Sequence, residues 1–229
     1  MLIPSILKGQ DMPKHLAINA TRIRTWATKN NIDIKEAVKK NLEKLKDLIE
    51  LQIKKDIPLL TIQLSTKNEE EIDGLKKFFK ELVLDELIIE KKVRIYVIGN
   101  LNALEPDFVD ILRNAMDKTK EYDHYFLNFC VKYDGHEEIL AATKLLIRKA
   151  LTEKISIDDL NVEQLKENLS SSYFMAPELM IMNNHHYNGL LLWDAKGSTI
   201  YFTDKYWLDF EKKDFDKAID FFNQNKKKD

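Results

Sequence analysis

Cysteine is nearly absent from this 229-residue chain, with Cys130 the only one. A lone cysteine excludes an intrachain disulfide and any cluster of metal-bound thiolates. Its apolar surroundings, LNFCVKY, mark it as a small buried hydrophobe in a protein of a reducing compartment. Glycine and proline are scarce too, at six and five residues. No Gly/Ser-rich stretch reads as a linker, so one domain spanning residues 1–229 is expected. An excess of charge is also missing: 36 basic against 38 acidic side chains give a net −2. That balance excludes the broad positive field of a nucleic-acid binder, and the terminal KKKD is only a local basic tail. No window reaches the roughly 18 apolar residues of a membrane span, and the apolar run in MLIPSILKGQDMP is too short for a secretory signal. The expectation is a cytoplasmic protein, at most peripheral to a membrane.

What is present is alternation. Apolar residues make up 44% of the chain, enough for one sizeable core. Short apolar runs, HLAI, PLLTIQL, VRIYVIG, YFLNFCVKY, ELMIM and TIYFT, read as buried strands. Between them lie helical patterns such as KEAVKKNLEKLKDLIELQIKK, where Ala37, Leu42, Leu45, Ile49 and Ile53 share a face. Asp33, Asp158 or Asp159, and Asp214 are placed to cap helices or to sit in their first turns. Asn68 to Asp73, NEEEID, reads as another helix start. Pro58, Pro106 and Pro177 fall at element starts or loops. This order predicts an α/β fold with a mostly parallel sheet covered by helices on both faces.

The stretch HLAINATRIRTWATKN, residues 15–30, runs a strand into a loop with two arginines and then into a helix. A strand that empties into a basic loop at a helix N-terminus is a frequent phosphate site. Arg22 and Arg24 are therefore candidate ligand contacts, against the plainer reading of solvated surface charge.

Further motifs identify a family. LLLWDAKGSTIYFTDKYWLDF resembles the C-terminal signature of cis-prenyltransferases, the undecaprenyl and dehydrodolichyl diphosphate synthases, which reads Phe-Leu-Leu-Trp-Gln, Tyr-Phe-Thr-Asp, Trp-Pro-Asp-Phe. Leu191, Leu192, Trp193, Tyr201, Phe202, Thr203, Asp204, Trp207, Asp209 and Phe210 match at the same spacing. VRIYVIGNLNALEPDFVDIL is similar to the family strand Val-Arg-Ile-Arg-Phe-Ile-Gly-Asp and the helix after it. NFCVKYDGHEEIL resembles Asn-Tyr-Gly-Gly-Arg-x-Glu-Ile, and PKHLAI followed by TWA resembles Pro-x-His-Val-Ala-Ile-Ile-Met-Asp-Gly-Asn-Gly-Arg-Trp-Ala. The resemblance covers residues 12 to 222. It implies a six-stranded, mostly parallel sheet flanked by helices, dimerisation, and an apolar tunnel for the growing isoprenoid. It also implies an allylic diphosphate held by the first loop, isopentenyl diphosphate held by C-terminal basic and hydroxyl residues, and Mg²⁺ stabilising the departing diphosphate.

Against that pattern the chain keeps the frame and departs at the charged positions. The family's first-loop aspartate falls on Thr21, its two glycines on Arg22 and Arg24, its asparagine on Ile23 and its arginine on Thr25. Glycine lets backbone N–H groups approach a diphosphate closely, so the phosphate cradle is expected to be lost. In IMNNHHYN the family's two arginines and serine fall on Met182, His186 and Asn188. Its metal-binding glutamate falls on Thr199, and the arginine of Gly-Gly-Arg on His136. The Glu-Asn-Trp-x-Arg loop is cut down to STKNEEE, whose acids repel a diphosphate. Loss of one buried charge partner costs about 2–5 kcal/mol, and loss of one transition-state contact about 2.7–4 kcal/mol. Several are missing together.

The sequence therefore reads as a non-catalytic accessory subunit of a heteromeric cis-prenyltransferase, with no cofactor of its own and Mg²⁺ in the catalytic partner. That partner is expected to be a homologous catalytic cis-prenyltransferase subunit, with a homodimer forming in isolation. Degenerate substrate contacts would fall to Arg22, Arg24, His136 and His186. The alternatives are a self-sufficient synthase using Arg22, Arg24 and Asp134, or a homodimeric isoprenoid binder without turnover. The pair His185 and His186 lacks neighbouring ligands at metal-site spacing. The aromatics Tyr201, Phe202, Trp207, Phe210, Phe221 and Phe222 read as packing rather than tunnel lining.

Overall fold

Six strands account for the six apolar runs: β1 (His15–Ala20), β2 (Leu59–Leu64), β3 (Val93–Ile98), β4 (Tyr125–Cys130), β5 (Leu179–Met182) and β6 (Thr199–Phe202). The computed structural model describes residues 11–152, 155–183 and 186–226. All five strand pairings are parallel, in the order β3-β4-β2-β1-β5-β6. The sheet is thus wholly rather than mostly parallel. β1 and β2 are buried along their whole length, as parallel strands covered on both faces must be.

The helices are α1 (Ile23–Asn30), α2 (Ile34–Lys54), α3 (Glu69–Leu82), α4 (Glu86–Glu90), α5 (Pro106–Thr119), α6 (Gly135–Leu151), α7 (Val162–Glu167) and α8 (Lys212–Lys226). Several starts follow the expected chemistry. Asp33 accepts a hydrogen bond from Lys35 N, Asn68 from Glu71 N, and Pro106 stands in the first turn of α5. At α7 the expectation was misplaced: Asn161 is the cap, and Asp158 and Asp159 belong to a short 3-10 turn before it. An asparagine directly before the helix supplies the acceptor that the more distant aspartates cannot.

The main core lies between the sheet and α2, α3, α5 and α8. Side chains from alternate strand positions, such as Leu16 and Ile18, Leu60 and Ile62, and Leu127 and Phe129, meet Leu45, Phe78, Phe79, Phe108 and Phe215 there. Phe78, Phe79 and Phe129 pack edge-to-face with ring centroids 4.9–6.0 Å apart. Each such burial stabilises the fold by roughly 1.5–3 kcal/mol. Ala17, Ile98, Cys130, Met180 and Met182 point to the other face, where Leu190, Leu191, Tyr133 and Phe174 cover them. Cys130 is buried as expected, and burial pushes its thiol well above the usual range.

That second face also carries a polar row. His15 Nδ1 is 2.7 Å from Met175 O, and Nε2 is 2.8 Å from Thr61 Oγ1, which accepts in turn from Asn128 Nδ2 at 3.3 Å. The row ties β1, β2 and β4 to the loop before β5 through polar groups that are each nearly fully buried. Hydrogen bonding makes that burial tolerable.

Candidate functional site

β1 delivers the basic turn to the C-terminal end of the sheet, where open α/β sheets bind ligands. Thr21 follows the strand directly. Its backbone N–H donates to Asn19 Oδ1 at 3.1 Å and its hydroxyl binds the same oxygen, while its carbonyl receives Asn183 Nδ2 at 3.4 Å. The position of the family carboxylate is thus held by a neutral side chain already engaged with its neighbours. Buried Asn19 Nδ2 and Asn183 Oδ1 have no partner among the described residues.

Arg22 adopts a left-handed conformation, φ 68° and ψ 30°, as the cap of α1. The shape that a glycine favours therefore survives its replacement, at a cost of roughly 1–2 kcal/mol for a side chain in that region. Loss of the glycines changes the side chains of the turn without flattening its backbone. No side chain caps α1, and no acid lies in its first turn. Its free N–H groups and the positive end of its dipole face the same cleft as the arginines.

That cleft, of about 490 Å³, is lined by Arg22, Arg24, Lys29 and Lys67, with Thr25, Thr28, Ser65, Glu71 and Tyr206. The Arg22 guanidinium lies 4.8 Å from the Tyr206 ring centroid and the Lys29 ammonium 5.0 Å from it. Lys29, Lys67 and Tyr206 were not singled out from the sequence. Their signal is the i, i+4 spacing of Thr25 and Lys29 on one helix face, and a tyrosine just before the Trp-x-Asp-Phe of the family-like C-terminal motif. Glu71 is buried; Oε2 accepts from Ser65 Oγ and Lys67 N, both at 2.8 Å, while Oε1 has no partner among the described residues. STKNEEE is therefore more than a repelling acidic patch. Asn68 and Glu71 shape the start of α3, and Ser65 and Lys67 remain beside the turn.

The other candidates are dispersed. His136, 84% exposed, follows the cap of α6, with Nδ1 3.5 Å from Asp134 Oδ1. Asp134 is that cap, accepting from His136 N at 2.8 Å and Glu137 N at 3.2 Å. His186 is exposed, and His185 lies outside the described residues. Met182 is buried beneath Leu190 and Leu191, and Asn188 donates to Gln63 Oε1 at 2.7 Å. Thr199 starts β6 opposite Leu179, which pairs with Leu16 near the start of β1. Thr21 and Thr199 therefore occupy opposite ends of the sheet, and this chain does not bring them together.

Mg²⁺, which the family implies, does not fit these residues. Both expected carboxylates are threonines, the cleft is lined by four cations and one carboxylate, and no group of three or more His, Cys, Asp or Glu converges among the described residues. Hard divalent cations need several oxygen ligands with compensating charge. The arrangement can hold an anion.

Motif residues that survive are structural here. Trp26 Nε1 donates to Asp209 Oδ1 at 2.8 Å and Trp207 Nε1 to Asn41 Oδ1 at 2.7 Å, locking the 207–210 segment onto α1 and α2. Glu138 accepts from Tyr133 Oη at 2.6 Å, Ser171 N at 3.0 Å and the Ser170 hydroxyl. Gly135 lets the start of α6 touch the 189–192 loop: a Cβ there would lie 2.4 Å from Gly189 O and from Leu192 Cβ.

Comparison with known proteins extends these correspondences. Residues 23–229 match the prenyltransferase family described as "Putative undecaprenyl diphosphate synthase". A tritrans,polycis-undecaprenyl-diphosphate synthase (geranylgeranyl-diphosphate specific) of Thermoplasma acidophilum is 31% identical over 224 residues, 93% of this chain and 87% of that one. An isoprenyl transferase of Bacillus subtilis is 30% identical over 233 residues, 96% and 87% of the two chains. Among solved structures, lavandulyl diphosphate synthase from Lavandula x intermedia, in complex with dimethylallyl diphosphate, superimposes with a TM-score of 0.82 at 22% identity over 92% of this chain and 95% of that one. A probable undecaprenyl diphosphate synthase of Campylobacter jejuni gives 0.68 at 23% identity, over 93% and 95%. Both share the fold.

Proposed function

Because the chain belongs to the undecaprenyl diphosphate synthase family of cis-prenyltransferases, we propose that it serves as the non-catalytic subunit of a heteromeric member of that family. The complex makes a long-chain polyprenyl diphosphate, a carrier lipid of the dolichol or undecaprenol type, from an allylic diphosphate and isopentenyl diphosphate. One observation carries this reading: Thr21, bonded to Asn19, stands where the family places its carboxylate, within a turn that is otherwise kept in shape. Such a turn can hold a diphosphate without ionising it away from its carbon. The catalytic partner supplies Mg²⁺ and the carboxylates. The aromatic packing around Phe78, Phe79, Phe108 and Phe129 agrees with a chain that does not house the product itself. Apolar side chains exposed on and near α6, among them Leu140, Ile147, Leu151 and Val162, offer a face for the partner. No helix among the described residues is long and apolar enough to cross a membrane, and we place the complex in the cytoplasm, against the membrane that receives its product.

The test is co-expression with a homologue from the same genome that keeps Asp-Gly-Asn-Gly-Arg-Trp. A stable complex, more active than the homologue alone, is expected. Failure to associate, with the homologue fully active by itself, overturns the proposal. The four cations of the cleft favour a second reading, a self-sufficient synthase. Chain elongation by the purified protein with geranylgeranyl diphosphate, labelled isopentenyl diphosphate and Mg²⁺ would establish that reading instead.

A further inference from the structure

A second cleft lies at the other end of the sheet from the basic turn. Along β3, Val93, Ile95 and Val97 enter the main core, whereas Arg94 and Tyr96 turn to the opposite face and stay half-buried. Strand register sets Leu59, Phe126 and Arg94 side by side on that face, with Tyr96 one step further along. Tyr173, Phe174 and Met175, from the loop before β5, form the facing wall. The Tyr96 ring meets Phe174 edge-on at 5.1 Å and Tyr173 at 6.2 Å. The volume of this open cleft is about 660 Å³, within the roughly 300–1,000 Å³ typical of small-molecule sites.

The composition of this cleft is one-sided. Apart from Arg94 its lining is Pro58, Leu59, Tyr96, Phe126, Tyr173, Phe174 and Met175, all apolar or aromatic. The Arg94 guanidinium makes no hydrogen bond or ion pair among the described residues. Both faces of a parallel sheet are ordinarily covered. Over this margin the cover is the 173–175 segment, which leaves Tyr173 79% and Met175 47% exposed.

We propose that this cleft binds a free single-chain amphiphile with one anionic head, its hydrocarbon lying along Phe126, Tyr96 and Phe174 and its head paired with Arg94. An aromatic groove takes a flexible hydrocarbon without needing polar partners. A half-buried guanidinium offers two parallel N–H donors to a carboxylate or phosphate monoester. One cation suits a single head group, in contrast to the four cations at the basic turn. The site is independent of the function proposed above, since it shares no residue with that turn.

Calorimetric titration of the full chain with monomeric decyl phosphate and with 1-decanol tests the proposal. One molecule of decyl phosphate should bind per chain, about tenfold more tightly than decanol. Arg94→Gln should remove that difference and leave decanol binding unchanged. Met175→Asp, at an exposed rim position, should weaken decyl phosphate selectively, and Arg22→Gln should have no effect. The proposal is overturned by absent binding, by equal affinity of the Arg94→Gln and parent chains, or by sensitivity to Arg22→Gln. It also fails if the chain binds anionic vesicles but not free decyl phosphate, or if binding vanishes as the chain self-associates in sedimentation.

Discussion

Acidification to pH 5 should destabilise this protein through a single buried imidazole. His15 is 1% exposed at the start of β1. Burial is the main cause that lowers its pKa from 6.5 to about 4, while the Met175 carbonyl, accepting from Nδ1–H, partly opposes the shift. The neutral ring uses both nitrogens, donating to Met175 O and accepting from the Thr61 hydroxyl. The unfolded chain takes up its proton near pH 6.5 and the folded one only near pH 4, so the unfolded state binds more protons in between. Stability from this group is complete above pH 6.5, falls as pH drops toward 4, and changes no further below that. A difference of about 2.5 pKa units corresponds to roughly 3 kcal/mol in all, of which about 2 kcal/mol is lost by pH 5. The assay is urea unfolding at pH 7, 6, 5 and 4 for the parent and for His15→Gln, which cannot titrate there. The variant starts less stable at pH 7 but should lose about 2 kcal/mol less between pH 7 and pH 5. Equal losses in both proteins, or a native imidazole titrating near 6.5 by NMR, would refute the reasoning.

Other perturbations test other joints. Trp207→Phe leaves Asn41 Oδ1 buried without its 2.7 Å donor and should cost about 1–3 kcal/mol in urea unfolding. Gly135→Ala normally favours a helix, yet its Cβ meets Gly189 O and Leu192 Cβ at 2.4 Å, so it should lose about 1–3 kcal/mol in stability. Thr21→Asp restores one carboxylate beside Asn19 Oδ1 but none at Thr199, so no chain elongation should appear in the labelled isopentenyl diphosphate assay. Replacing Arg22 and Arg24 with glutamine should weaken pyrophosphate binding at least tenfold by calorimetry, because two of the four cleft cations disappear.

Strand positions were legible because the apolar runs are short and set apart by amphipathic helices or, between β5 and β6, by a polar loop, and each became a strand. The asparagine at position 68 and the aspartate at 33 were legible as helix starts for a local reason, a side-chain oxygen two or three residues before a free N–H. The polar row His15, Thr61 and Asn128 was not read, although each residue interrupts an apolar strand. A single polar residue in such a run shows that a partner is required, but the partner lies 46 or 67 residues away. Likewise, spacing alone could not show that Thr21 and Thr199 lie at opposite ends of the sheet, since that follows from register across three strands. The left-handed turn at Arg22 was masked by the residue itself: arginine disfavours it, and only the surrounding structure holds it.

The survivors of the family pattern follow one physical rule. Trp26, Trp207, Asp209, Gly135 and Glu138 each close a contact between segments distant in the chain. Loss of any one leaves an unmet hydrogen bond or a clash that the fold must absorb. Thr21, Thr199, His136 and His186 replace charged family groups by neutral or titratable ones at positions where no described contact of the fold depends on a charge. On the proposal of a non-catalytic subunit, such a chain keeps the first set for stability and sheds the second without penalty. Arg22 and Arg24 break that rule, for they add charge to a turn that has lost its glycine and pays strain to keep its shape. Charge gained at a strained turn beside Lys29 and Lys67 accords with the proposed diphosphate-holding role of this turn rather than with simple decay of the site.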